Sequence, residues 1–171
     1  MIKKLGATAL AAVWLAVPAF AAEKLTVETS KNCSFDIKLR PDLAPIHVAQ
    51  ITKLAGAGFY NGIIFHRVID GFMAQTGDPT GTGTGNSPEP NLPAEFTSEH
   101  FTRGVVGMAR TSGDNNSANS QFFVTFAEAG FLDGQYTVWG NVDETGMACV
   151  DQLAKGEPPA NPDKMIKVTV Q

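Results

Sequence analysis

The chain has 171 residues, with 13 Lys and Arg against 17 Asp and Glu and a net charge of −4. That is room for one domain of ordinary size and not for two. The acidic balance speaks against a general nucleic-acid binder, which needs a basic face. The dispersed histidines His47, His66 and His100 give no metal-ligand spacing with either cysteine.

Residues 1–21 read as a cleaved signal peptide. Met1-Ile2-Lys3-Lys4 is a short positive stretch, Leu5 to Val17 is apolar, and Ala19-Phe20-Ala21 is a small-x-small cleavage site. A membrane anchor needs about 20 apolar residues, and this run is broken by Pro18 and closed by Glu23-Lys24. Cleavage after Ala21 removes Lys3 and Lys4 and no acid. The mature domain, residues 22–171, then carries 11 basic and 17 acidic side chains, net −6. Such a charge suits a soluble protein that stays unattached after cleavage. Export permits a disulfide. Cys33 and Cys149 are compatible with one bridge or with two buried thiols, and the reading leans towards unpaired thiols.

Leu25 and Val27, then Phe35, Ile37 and Leu39, alternate with polar neighbours across the turn composition Thr29-Ser30-Lys31-Asn32, which predicts a β-hairpin. Pro45 suits a first helical turn. Val48, Ile51, Leu54 and Ala55 follow at helical spacing, which predicts a helix over 45–55. Further strands are predicted at 63–69, 72–75, 105–109, 121–126, 137–142 and 166–170, and a second helix at 147–155. Eight short strands and two helices predict a closed or sandwiched antiparallel sheet. Two polar stretches, 76–94 with its glycines and prolines and 110–120 rich in Ser, Asn, Gly and Asp, are either linkers or the walls of a site.

The informative segment is Phe65-His66-Arg67-Val68-Ile69-Asp70-Gly71-Phe72-Met73-Ala74-Gln75-Thr76-Gly77-Asp78. Strand alternation puts Arg67 and Ile69 on the side of Phe65, and His66 and Val68 on the other. A core-side arginine is costly unless it is paired or functional. The plainer alternative is an edge-strand arginine with its stem packed and its head in water.

This segment resembles the signature of the cyclophilins. The resemblance continues, in order, through Gly81-Thr82-Gly83, Gly107-Met108-Ala109, Ser120-Gln121-Phe122-Phe123, Phe131-Leu132-Asp133-Gly134 and Val138-Trp139-Gly140, and it covers residues 24–170. It implies a mainly β fold, a closed eight-stranded antiparallel β-barrel capped by two α-helices, with the active site on the outside of the barrel. It implies peptidyl-prolyl cis-trans isomerase activity without cofactor or metal, with Arg67 as the catalytic residue. Phe72, Met73, Phe123, Leu132, Phe131 and Tyr136 match the proline pocket. Gln75, Ala109, Arg110 and Gln121 match positions that hold the substrate backbone. Partners would be proline-containing, unfolded or partly folded polypeptides, met by a monomer in the periplasm, with no nucleic acid and no membrane.

The chain departs from many eukaryotic members in three places. Phe131 stands for a tryptophan whose indole N–H donates to cyclosporin, Tyr136 for a histidine, and Arg110 for an asparagine. Weak cyclosporin binding is therefore expected, with catalysis retained, and the pattern looks most like periplasmic bacterial cyclophilins. Other classes fit less well. A binding-only module would be expected to lack the arginine or the aromatic wall. Gly81-Thr82-Gly83-Thr84-Gly85 has no following Lys-Ser/Thr and opens no helix, so it is a poor phosphate loop. A hydrolase would need a Gly-x-Ser-x-Gly elbow that is not present.

Overall fold

Alternating apolar residues give the first two strands, β1 (Lys24–Thr29) and β2 (Ser34–Leu39), which pair antiparallel and bury Leu25, Val27, Phe35, Ile37 and Leu39 on one face. A computed structural model describes residues 22–171; the expected signal segment lies outside the described residues. Helix α1 follows at Pro45–Gly56. Its N-terminus has no local side-chain cap. Instead the Glu95 carboxylate accepts the Ile46 and His47 backbone N–H groups at 3.1 and 2.9 Å, so a residue far along the chain satisfies the orphan donors.

Then come β3 (Arg67–Ile69), β4 (Met73–Thr76), β5 (Val105–Met108), β6 (Phe122–Thr125) and β7 (Val138–Asn141). Helix α2 (Glu144–Val150) and β8 (Met165–Val170) complete the order. All strand pairs are antiparallel, in the order β3-β4-β6-β5-β7-β2-β1-β8. The sheet curls into the expected barrel. It closes through a short bridge, not a continuous β3–β8 ladder. Ile64 pairs with Lys164, the Phe65 N–H donates to the Asp163 C=O at 2.8 Å, and the Met165 N–H donates to the Ile63 C=O at 2.9 Å. Closure leaves few unpaired edge groups to recruit another chain.

Two apolar clusters result. The larger fills the barrel and includes Phe35, Phe65, Val68, Ala74, Phe122, Val124 and Trp139. The smaller lies outside the sheet and includes Met73, Phe101, Val105, Phe123, Leu132 and Val138. With both faces covered, β6 is buried at every position and shows no polar-apolar alternation.

Three expectations are corrected. Phe65 and Val68 both point into the barrel, so Arg67 is not on the side of Phe65; the ladder is interrupted at Phe65-His66 and the alternation restarts at Arg67. Helix α2 begins at Glu144, three residues earlier than read, because Asp143 is its N-cap and accepts the Gly146 N–H at 2.8 Å. The helix ends at Val150, with one further helical bond from the Asp151 N–H to the Met147 C=O at 2.8 Å, short of the expected Lys155.

The cysteines are the third correction. Cys33, in the β1–β2 turn, is bridged to Cys149 in α2, with Cα atoms 5.8 Å apart. Packing of α2 on β2 brings them together, which a sequence separation of 116 does not reveal. Closing a loop of that size removes denatured-state entropy worth about 4–5 kcal/mol in the chain-entropy picture. Denaturant unfolding with and without reductant should therefore show a clear drop in midpoint when the bridge is opened. Thiol counting without reductant should find none; two free thiols, or an unchanged midpoint, would contradict this account.

Candidate active site

The register of β3, β4, β6 and β5 sets one row of residues across the outer face of the barrel. Arg67 lies opposite Gln75, Gln75 opposite Phe123, and Phe123 opposite Gly107. The neighbouring inward row is Val68, Ala74, Val124 and Val106, all buried in the barrel. Alternation by two thus places the guanidinium, the amide and the aromatic ring side by side on the outer face.

Gly107 is required by this row. A Cβ there would lie 2.5 Å from the Phe123 ring and 2.6 Å from the Phe101 ring. Without it, Phe101 and Phe123 stack with centroids 5.7 Å apart, and Tyr136 stands edge-on to Phe123 at 5.7 Å. Phe123 is nearly buried and so floors a depression without standing proud of it.

Arg67, Phe72, Met73, Gln75, Ala109, Arg110, Phe123, Leu132 and Tyr136 line one small cavity of about 150 Å³. These are all the sequence-predicted site residues except Phe131 and Gln121. Phe131 sits at the rim, 65% exposed, its ring 5.3 Å from that of Phe72. The short 3₁₀ turn Gly130–Leu132 carries Phe131 and Leu132. Asp133 anchors it by accepting from the Phe101 N–H at 2.8 Å and bonding the His100 ring at 2.7 Å. The Phe101 bond, then the His100 contact, hold the Asp133 carboxyl below its ordinary range.

Gln121 does not face the small cavity but lines an adjoining one of about 300 Å³, together with Gln75, Ala109 and Arg110. It is a strut. Its amide nitrogen donates to the carbonyls of Gly83 and Gly85 at 3.1 and 2.9 Å, and its oxygen accepts from Gln75 Nε2 at 2.9 Å. Gln75 is thereby fixed with its own oxygen free of any described partner.

The Gly83–Gly85 wall depends on Asp78, whose buried carboxylate accepts from Thr80, Gly83 and Gly85. Burial alone would raise the Asp78 pKa. The bonds from Thr80, Gly85 and Gly83 outweigh it and hold the carboxyl well below the usual range.

Arg110 leans on Tyr136, its guanidinium carbon 4.6 Å from the ring centre, and donates to the Gln135 carbonyl at 3.1 Å. Its backbone N–H and C=O bond to no described residue. The Ala109 N–H, by contrast, is taken by the Gln121 carbonyl at 2.9 Å.

Arg67 is about half exposed, and its Nε donates to Glu157 Oε1 at 2.6 Å. Its two Nη groups bond to no described residue. Sequence reading missed Glu157, Gly107, Phe101 and Asp78 as parts of the site. Asp78 and Gly107 lie inside quoted motifs but carry no sign of their role. Nothing marks Glu157, 90 residues from its partner.

His66 is buried away from this cavity, neither ring nitrogen bonds to a described residue, and burial lowers its pKa. A larger concavity of about 880 Å³ involves Glu23, Lys24, Asp36 and Lys38 and holds neither the arginine nor the aromatic socket. Among the described residues no group of His, Cys, Asp and Glu is placed to hold a metal ion. No described helix is long and apolar enough to cross a membrane.

Comparison with known proteins agrees with this geometry. The family model for cyclophilin type peptidyl-prolyl cis-trans isomerase/CLD matches residues 24–170. A probable peptidyl-prolyl cis-trans isomerase of Brucella suis is 51% identical over 165 residues, covering 87% of this chain and 83% of that protein. A peptidyl-prolyl cis-trans isomerase-like 1 protein of Aspergillus oryzae is 38% identical, covering 80% and 89%. Among solved structures, a cyclophilin of Hirschia baltica superposes with a TM-score of 0.78 at 31% identity, covering 87% of this chain and 74% of that one. A cyclophilin type isomerase of Cryptosporidium parvum, crystallised in the presence of the dipeptide Ala-Pro, gives a TM-score of 0.78 at 25% identity, covering 86% and 98%. With the arginine, the aromatic socket and the barrel in one frame, the chain belongs to the cyclophilin family of peptidyl-prolyl cis-trans isomerases.

Proposed function

We propose that this isomerase acts on Xaa-Pro bonds of exported polypeptides as they fold in the periplasm, as a monomer, with Arg67 as its catalytic donor. One observation carries the catalytic reading: Arg67, whose Nη groups bond to no described residue, lines the same small cavity of about 150 Å³ as Phe72, Met73, Phe123 and Leu132. The Cys33–Cys149 bridge supports an oxidising compartment, as does the signal-like segment 1–21. The Ala-Pro dipeptide used with the Cryptosporidium protein supports proline peptides as the ligand class.

The bond before proline resists rotation by about 18–20 kcal/mol, because resonance gives its C–N partial double-bond character. Uncatalysed exchange takes tens of seconds or longer. At the twisted transition state that resonance is lost, and the prolyl nitrogen becomes pyramidal with a localised lone pair. An Nη–H of Arg67 aimed at that lone pair bonds the transition state more strongly than either planar ground state. Arginine suits the task because it stays charged and donates from a rigid fork. An acceleration of 10⁵ would need only about 7 kcal/mol of such differential stabilisation.

The ring must stay still while the preceding carbonyl turns. Phe72, Met73, Phe123 and Leu132 form the socket that holds it, Tyr136 closes one side and Phe131 extends the rim. Arg110 offers a free backbone N–H and C=O to the substrate chain. Gln75, braced by Gln121, presents its amide oxygen. The larger adjoining cavity gives the substrate chain room to continue past Arg110.

Two predictions test this assignment. Arg67→Ala should lower catalysed exchange by about 10²–10³-fold, as loss of one transition-state donor does, with peptide affinity much less affected. Arg67→Lys should fall between, since charge is kept but the fork is lost. Phe123→Ala should chiefly weaken binding, and lose about 3–5 kcal/mol of stability as a buried ring is removed. Line-shape NMR on a proline peptide reads rate and affinity together. A folded Arg67→Ala with wild-type exchange rejects Arg67 as the donor.

The second prediction concerns the rim. Phe131 has no N–H, so cyclosporin inhibition should be weak, and Phe131→Trp should tighten it by the worth of one hydrogen bond, about 1 kcal/mol or fivefold. An inhibition assay with wild type and Phe131→Trp checks it; equal potency would refute the argument from the missing donor.

A further inference from the structure

Glu157 makes the one side-chain bond to Arg67 found among the described residues. We propose that Glu157 is the positioning residue of the catalytic arginine, fixing the Nε edge of the guanidinium so that the Nη edge faces the prolyl nitrogen. This inference rests on the assignment of Arg67 as donor.

Three observations carry it. The Arg67 Nε–H donates to Glu157 Oε1 at 2.6 Å, a short charge-assisted bond. It engages Nε alone, leaving both Nη groups without a described partner. The third concerns the carboxylate's footing. Gly156 and Val68 exchange reciprocal backbone bonds, both 2.8 Å, in an isolated antiparallel bridge. Glu157 therefore grows from a backbone tied to the residue next to Arg67. The same segment is tethered again where the Ala154 N–H donates to Asp163 Oδ2 at 2.8 Å, and where the Lys155 ammonium lies 4.1 Å over the Phe126 ring.

Both partners are roughly half exposed, 42% for Arg67 and 52% for Glu157. An ion pair so placed adds little to folding stability. Its effect lies in orientation. A free arginine samples many rotamers, and most aim the fork away from the reacting nitrogen. Anchoring Nε removes that search before the substrate arrives.

The test uses the mature protein and four forms: wild type, Glu157→Ala, Glu157→Gln and Arg67→Ala. Glu157→Ala should slow catalysed exchange about tenfold with peptide affinity within about twofold. Glu157→Gln keeps an oxygen that accepts from Nε, so it should recover to within about threefold of wild type. The Arg67 Nε–H resonance should be resolved and slow to exchange with water in wild type and Glu157→Gln, and should merge with free arginine signals in Glu157→Ala. Amide spectra establish that each variant folds.

The proposal is overturned if Glu157→Ala exchanges at the wild-type rate while Arg67→Ala is inactive. It is also overturned if Glu157→Gln is as slow as Glu157→Ala, which would make charge and not orientation the cause. A slowed Glu157→Ala with an unchanged Arg67 Nε–H signal overturns it too. Wild-type exchange in Arg67→Ala would instead strike the underlying catalytic assignment, so the two failures are distinguishable.

Discussion

The site depends on a register. Because β3, β4, β6 and β5 pair as they do, Arg67, Gln75, Phe123 and Gly107 fall in one outward row. A one-residue slip in any of these pairings would turn the affected outward residue into the barrel and bring an inward one, such as Val68 or Val124, to the surface. The inward row is locked by burial in the main core, so the core of the barrel specifies the position of groups lying outside it. Gly107 is part of the same constraint, since a side chain there would push Phe123 and Phe101 out of their stack.

Around that row the polar groups form a chain of support. The Asp78 carboxylate gathers the Thr80–Gly85 loop, the loop carbonyls hold the Gln121 amide, and Gln121 holds Gln75. The chain ends on Gln121 and Gln75, which line the larger of the two adjoining cavities, and Gln75 lines the smaller as well. Such networks rigidify when fully satisfied, because an unpaired polar group in a low dielectric is costly. The geometry suits a reaction that needs one hydrogen bond delivered to one nitrogen and no chemistry from the protein.

What was legible in the sequence follows from how local each signal is. The β1–β2 hairpin and α1 were readable from periodicity, since each buries a single face. Strand β6 is legible as a short apolar, strand-like run, although its unbroken burial leaves no alternation to read. The start of α2 was misread because Asp143 is a single capping residue with no apolar repeat before Met147. Nothing local could pair Cys33 with Cys149 or Arg67 with Glu157, because those contacts exist only once the sheet has closed. The motif residues were gathered as the resemblance implied, with two adjustments: Phe131 lies at the rim of the small cavity, and Gln121 acts as a brace outside it.

If Arg67 is the donor, its hydrogen bond to the prolyl nitrogen strengthens as the bond twists. A substrate with γ,γ-difluoroproline tests this directly, since the fluorines withdraw electrons and make that nitrogen a poorer acceptor. The measurement is the ratio of catalysed to uncatalysed exchange for the fluorinated and the ordinary peptide, with binding read separately. The ratio should be smaller for the fluorinated peptide with wild-type enzyme, with no such difference with Arg67→Ala. Equal ratios in wild type would contradict it, and would move the source of catalysis from the arginine to the socket.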